Sequence, residues 1–127
     1  MQVEQVDFVS VPTRDMSRAL AFYREVLGLP ESEYSEGEDE NGNDMELTAG
    51  QVTLDIFDPT SFAPSPAGVA LRVADVAAAR AELEAKGVEF QGETFDTGVC
   101  HMAFFNDPDG NALMLHHRYS PREGAAS

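Results

Sequence analysis

The chain has 127 residues, 43% of them hydrophobic, one cysteine, and a net charge of −15 from 23 acidic and 8 basic residues. Such a length fits one domain, and the apolar share supports a core and excludes a disordered chain. The charge repels phosphate backbones and anionic lipid, and no apolar run nears the ~20 residues of a membrane span, so nucleic acid and membrane are excluded as partners.

In chain order, Gln5 to Pro12 alternates as a strand. Asp15 is an N-cap, and a helix is expected from about Met16 to Val26, its apolar stripe formed by Met16, Ala19, Leu20, Tyr23 and Leu27. Gly28 stops it, and short strands are expected near Glu31 to Ser35, Asp44 to Ala49 and Val52 to Asp58, with turns at NGN and AG. The acidic run ESEYSEGEDENGNDME, residues 31 to 46, lacks the spacing of a calcium-binding helix-loop-helix and is read as a solvated loop. DPTSFAPSPAG, residues 58 to 68, holds three prolines without periodicity and reads as a linker.

The pattern then starts again. Val69 to Val73 is a strand, Asp75 caps a helix to about Lys86, and Gly87 stops it. Strands follow near Glu89 to Phe95 and Val99 to Asn106, and DPDGN turns the chain into Ala112 to Tyr119. Aligning Asp15 with Asp75 pairs Ala19 with Ala79 and Tyr23 with Leu83; Gly28 meets Gly87 only if the first copy carries one extra residue. The expectation is an α+β chain of two βαβββ modules, about 3–58 and 68–119, joined by a linker at about 59–67 and followed by a loose tail at 120–127. Two like halves in a single domain commonly enclose a ligand. The N-terminus MQVEQVDF shows no basic-then-apolar leader, and Cys100 alone gives no disulfide framework, so a reducing cytoplasm is the expected setting.

RDMSRALAFYREVLGL, the helical echo after Asp75, and FFNDPDGNALMLHHRY together resemble the vicinal oxygen chelate superfamily, the glyoxalase, bleomycin-resistance and extradiol-dioxygenase group. The resemblance runs from about Val3 to Tyr119. It implies curved mixed sheets that make a cup, the glyoxalase/bleomycin-resistance-like fold. Tyr23 matches the FY pair of the first helix, which implies packing. Metal-dependent members hold one divalent cation on four strands, and the matching positions are Phe8, Asp55, Gly68 and Met114. Only Asp55 offers a hard donor there, so the resemblance implies a degenerate metal site and no cofactor, a divalent metal remaining possible elsewhere. It also implies a homodimer, in keeping with the exposed edges of half-barrels.

Strand parity places Val9, Val11, Val52, Leu54, Ile56, Val69, Leu71, Val73, Leu113 and Leu115 under the helices. The other parity faces the cup: Phe8, Ser10, Thr53, Asp55, Phe57, Ala70, Arg72, Met114, His116 and Arg118, with Phe105 also assigned to the pocket. If Asn106 faces Asn111 across the DPDGN turn, His101 faces His116 and both point into the cup. With Asp55 they then form either an alternative metal site or a catalytic general base near neutral pH, or they only shape the pocket. Arg72 either pairs with Asp55 or binds an anionic ligand. His117 is read as structural, and Cys100 as a core thiol on the helix-covered face. The expected function is binding of a small, partly aromatic molecule, with a metal-dependent lyase or dioxygenase as the alternative.

Overall fold

The computed structural model describes residues 1–2, 4, 7–32, 44–50, 52–59, 61–66 and 68–120. Residues 33–43 of the acidic run, with the NGN turn, and the tail beyond Ser120 lie outside them. The elements are β1 (Phe8–Pro12), α1 (Met16–Leu20, continuing as a π-helix over Ala21–Val26), β2 (Asp44–Ala49), β3 (Val52–Phe57), β4 (Val69–Arg72), α2 (Val76–Ala85), β5 (Phe90–Asp96), β6 (Cys100–Asn106) and β7 (Ala112–Arg118). The strand expected from Glu31 is represented by an isolated bridge from Glu31 to Leu47.

Contacts divide the chain into two units, Met1–Pro66 with Asp107–Asn111, and Ala67–Asn106 with Ala112–Ser127. The first holds a sheet in the order β1-β3-β2, with β1 parallel and β2 antiparallel to β3. The second holds β4-β7-β6-β5, with β4 parallel to β7 and the rest antiparallel. Mixed pairing follows from the βαβββ order, since a strand that returns after a helix can lie parallel while hairpin-linked strands cannot.

Both helices start alike. The Asp15 carboxylate accepts from the Arg18 N–H at 3.1 Å, and Asp75 accepts from Ala78 N–H at 3.0 Å. They continue differently. α2 is α-helical to its end, whereas α1 widens after Leu20, with Leu27 N–H donating to Phe22 C=O five residues back at 2.9 Å. The wider turn takes up the extra residue of the first copy, which an α-helix between the same two ends has no room for. Gly28 and Gly87 then take positive φ, 74° and 92°.

Each unit has its own core. In the first, α1 lies over β3, and Leu20, Tyr23, Leu47, Leu54 and Ile56 are buried. In the second, α2 lies over β5, β6 and β7, and Val76, Leu83, Ala103, Phe105, Leu113 and Leu115 are buried. The expected alternation therefore holds for Leu54 and Ile56 in β3 and for Leu113 and Leu115 in β7, whereas Val52, at the start of β3, is exposed and not under the helix.

Candidate functional site

The sheet faces turned away from the helices are the candidate site, one in each unit. In the first unit β1 pairs Phe8 with Thr53 and Ser10 with Asp55, and β2 pairs Glu46 with Asp55. Phe8, Ser10, Thr53, Asp55, Phe57 and Glu46 thus share the open face, Phe8 with half its surface exposed and Asp55 half-buried. In the second unit Ala70 pairs with Met114 and Arg72 with His116. Met114 and His116 in turn pair with Phe104 and Met102 of β6, and Arg118 pairs with Cys100.

That last register corrects three expectations. Asn106 pairs with Ala112, not Asn111, so His101 faces His117 and not His116. Gly110 takes a positive φ of 87°, and the Asp107 N–H bonds the Asn111 carbonyl at 3.0 Å, which makes a three-residue loop and moves the ladder by one residue. A one-residue shift turns every β6 side chain over relative to its neighbours. His101 leaves the open face, so His101 and His116 cannot join in one metal or acid–base site. Phe105 goes to the core, 1% exposed and tilted against Phe90 at 5.0 Å between centroids. Cys100 moves to the open face, where Arg118 Nη1 lies 3.8 Å from its Sγ.

On the opposite face His101 belongs to a surface cluster. Its Nε2 stands 3.4 Å from Asp96 Oδ2, and Tyr119 donates its hydroxyl to Asp96 Oδ1 at 2.7 Å. The Tyr119 hydroxyl, the Gly98 N–H and His101 together hold the Asp96 carboxyl below its ordinary range, and Asp96 raises the Tyr119 phenol in return. His117 meets Val73 C=O through Nδ1 at 3.1 Å.

The polar centre of the first unit was not read from the sequence. Asp107, in the DPDGN turn, accepts from the Tyr23 hydroxyl at 2.7 Å, from Asn111 Nδ2 at 2.7 Å, and from the Asp109 and Asn111 N–H groups at 2.9 Å each. Asp109 accepts from the Thr13 hydroxyl at 2.6 Å, Arg14 N–H at 3.0 Å and Arg18 Nη2 at 2.7 Å. Asn111 donates to Pro12 C=O at 2.8 Å, and its Oδ1 accepts from Ser65 N–H at 2.6 Å. Burial opposes ionisation of Asp109, but the Thr13, Arg14 and Arg18 donors outweigh it and hold the carboxyl below its usual range. Burial, then the charge of Asp107, pushes the Tyr23 phenol up and keeps it a neutral donor. Two acids and an amide in one five-residue turn were the available signal. They work as a structural brace and leave the site to the open faces.

The residues at the four positions that the resemblance matches to metal ligands do not suit a hard cation as a set. Gly68 has no side chain, and a Cβ placed there would lie 3.4 Å from Met114 Cε, so the space a ligating side chain would start from is bordered by an apolar methyl. In the first unit Phe8 stands diagonally from Asp55, the one carboxylate of the set. Among the described residues no three of His, Cys, Asp and Glu come together as a metal site.

A family model described as the Glyoxalase/Bleomycin resistance protein/Dioxygenase superfamily matches residues 5–115. Among solved structures, TnmS3, an antibiotic binding protein from Streptomyces sp. CB03234, is 30% identical, with 93% of this chain and 98% of that one covered and a TM-score of 0.78. A glyoxalase/bleomycin resistance protein from the same organism is 30% identical over 89% of this chain and 100% of that one, with a TM-score of 0.73. A glyoxalase family protein from Bacillus anthracis is 22% identical over 93% and 98% of the two chains, with a TM-score of 0.79, a likeness of fold alone. A comparison with curated proteins found no match. The α+β fold of two curved mixed sheets and the family match agree: the chain belongs to the glyoxalase, bleomycin resistance protein and dioxygenase superfamily.

Proposed function

We propose that the protein binds a small, partly aromatic molecule on its open sheet faces, without a metal at the family's usual positions. The observation that carries this is that the Met114 methyl lies 3.4 Å from where a Cβ at Gly68 would stand, so an apolar group fills the space where metal-dependent relatives need donors. The open faces offer surfaces suited to ring stacking: Met102, Phe104 and Met114 in one unit, Phe8 and Phe57 in the other. Polar groups beside them, Ser10 and Asp55 in one unit and Arg72 and His116 in the other, would orient a ligand. The likeness to an antibiotic binding protein at 30% identity supports binding over catalysis.

The same proposal takes the protein to work as a homodimer in a reducing cytoplasm. The free Cys100 and the edge strands β1 and β2 of one sheet, β4 and β5 of the other, support this. Among the described residues no helix is long and apolar enough to cross a membrane. Calorimetric titration with a panel of planar aromatic compounds, with and without a chelator, tests the function. Saturable binding that the chelator leaves unchanged and Met114→Ala weakens is expected. Binding abolished by the chelator, or no binding across the panel, would overturn it. Sedimentation equilibrium at micromolar protein tests the dimer, and a monomer mass would remove that part.

A further inference from the structure

The chain carries 23 acidic residues, yet β4, β6 and β7 (VALR, CHMAFFN and ALMLHHR) contain none. Their open face instead gathers basic groups. Arg72 pairs with His116 across the β4–β7 ladder, and Arg118 stands two residues further along β7 on the same side. Of the five other described arginines and lysines, four are matched: Arg14 and Arg18 meet Asp109, Arg80 meets Glu84 and Lys86 meets Glu82. Arg72 is exposed, and among the described residues no carboxylate pairs with Arg72, His116 or Arg118. The Nε of Arg118 is buried without a hydrogen-bond partner, and its Nη1 reaches only the weak acceptor Cys100 Sγ. A buried guanidinium nitrogen left unpaired is costly, so it marks a place where an acceptor would be gained on binding.

Immediately beside these donors are Met114, Met102 and Phe104. Strand spacing of ~4.8 Å and ~6.6 Å between alternate residues put donors and apolar groups within the span of one fused-ring molecule. From this juxtaposition we infer that the open face of β4–β7–β6 takes a small aromatic anion, an aryl carboxylate or phenolate. Its oxygens would meet Arg72, His116 and Arg118 while its ring lies on the Met114–Met102–Phe104 surface. This rests on the small-molecule reading above and narrows it to an acidic ligand. The net charge of −15 would by itself favour a cationic ligand, but short-range contacts with unpaired donors outweigh a field screened within ~8 Å at physiological salt.

The test is titration of the full chain with 2-naphthoate, its neutral amide 2-naphthamide and the cation 2-naphthamidine, which share one ring system. Naphthoate should bind about tenfold or more tightly than either of the others. Arg72→Met and Arg118→Met should each reduce naphthoate affinity about tenfold and leave the amide unchanged, in variants whose circular dichroism and melting match the parent. Equal or tighter binding of the amidine, or unchanged naphthoate affinity in both folded variants, overturns the acidic ligand but leaves the binding proposal standing. Absence of binding by all three overturns this inference, and the wider aromatic panel then decides the broader proposal.

Discussion

The two helices begin on the same template and are held in place by different physics. α1 lies in a unit whose centre is polar: Tyr23, at 0% exposure, reaches Asp107, and Arg18 reaches Asp109. α2 has Leu83 where α1 has Tyr23, and it is held by apolar burial of Val76 and Leu83. Its one cation on the sheet side, Arg80, stacks on Phe90 at 4.8 Å and donates to Gly92 C=O at 2.8 Å. The two units therefore share a start signal and differ in how the helix is fastened. The π-turn of α1 goes with the polar fastening, because the extra residue falls within the segment that carries Tyr23.

The most disruptive way to break this contrast is Asp107→Ala. It strands the Tyr23 hydroxyl, the Asn111 amide and two backbone N–H groups, and should cost about 3–5 kcal/mol by urea unfolding. Leu83→Ala, in the apolar counterpart, should cost about 2–4 kcal/mol by the same measurement, from lost transfer energy and a cavity. Tyr23→Phe keeps the ring and removes one donor, so a smaller loss of about 1–2 kcal/mol is expected. A loss as large as that of Leu83→Ala would mean the ring was also displaced.

Acid unfolding sharpens the comparison. The Asp109 carboxyl is held below its unfolded value of ~3.9, so its contribution is complete above that pH and fades as pH falls through the lower folded value. The stability gap between the parent and Asp109→Asn should therefore be constant near neutrality and shrink below about pH 4. A gap that stayed constant at low pH would rule out the charge of Asp109 as its cause. The smallest effects belong to what the helices share: Asp15→Ala and Asp75→Ala should each cost about 1 kcal/mol, and nearly equally.

The architecture was legible in the sequence because its signals are local. Caps at Asp15 and Asp75, glycine stops at Gly28 and Gly87, and alternation in VTLDIF each fix an element without reference to the rest. β6 was different. In CHMAFFN apolar residues occupy both parities, so burial alone could not orient it, and the register had to come from the turn. Taking the DPDGN loop one residue short exchanged His101 for Met102 and Phe105 for Phe104 on the open face. The π-turn had left a trace in the one-residue surplus of the first copy, but a surplus gives its size and not its form. The Asp107–Asp109–Asn111 brace was hidden because its partners lie far away in sequence.

That distance has a consequence for how the chain reaches its fold. The bonds from the DPDGN turn to Thr13, Arg14, Arg18, Tyr23 and Pro12 span 84 to 99 residues. Residues up to Asn111 must leave the ribosome before the first unit can satisfy its own buried polar groups. Closing so long a loop early is entropically unfavourable, so maturation of the first unit should wait on the β6–β7 hairpin. The repeat that looks like two independent pieces in the sequence is thus expected to complete its folding as one, with the last third of the chain delivering the part that the first third lacks.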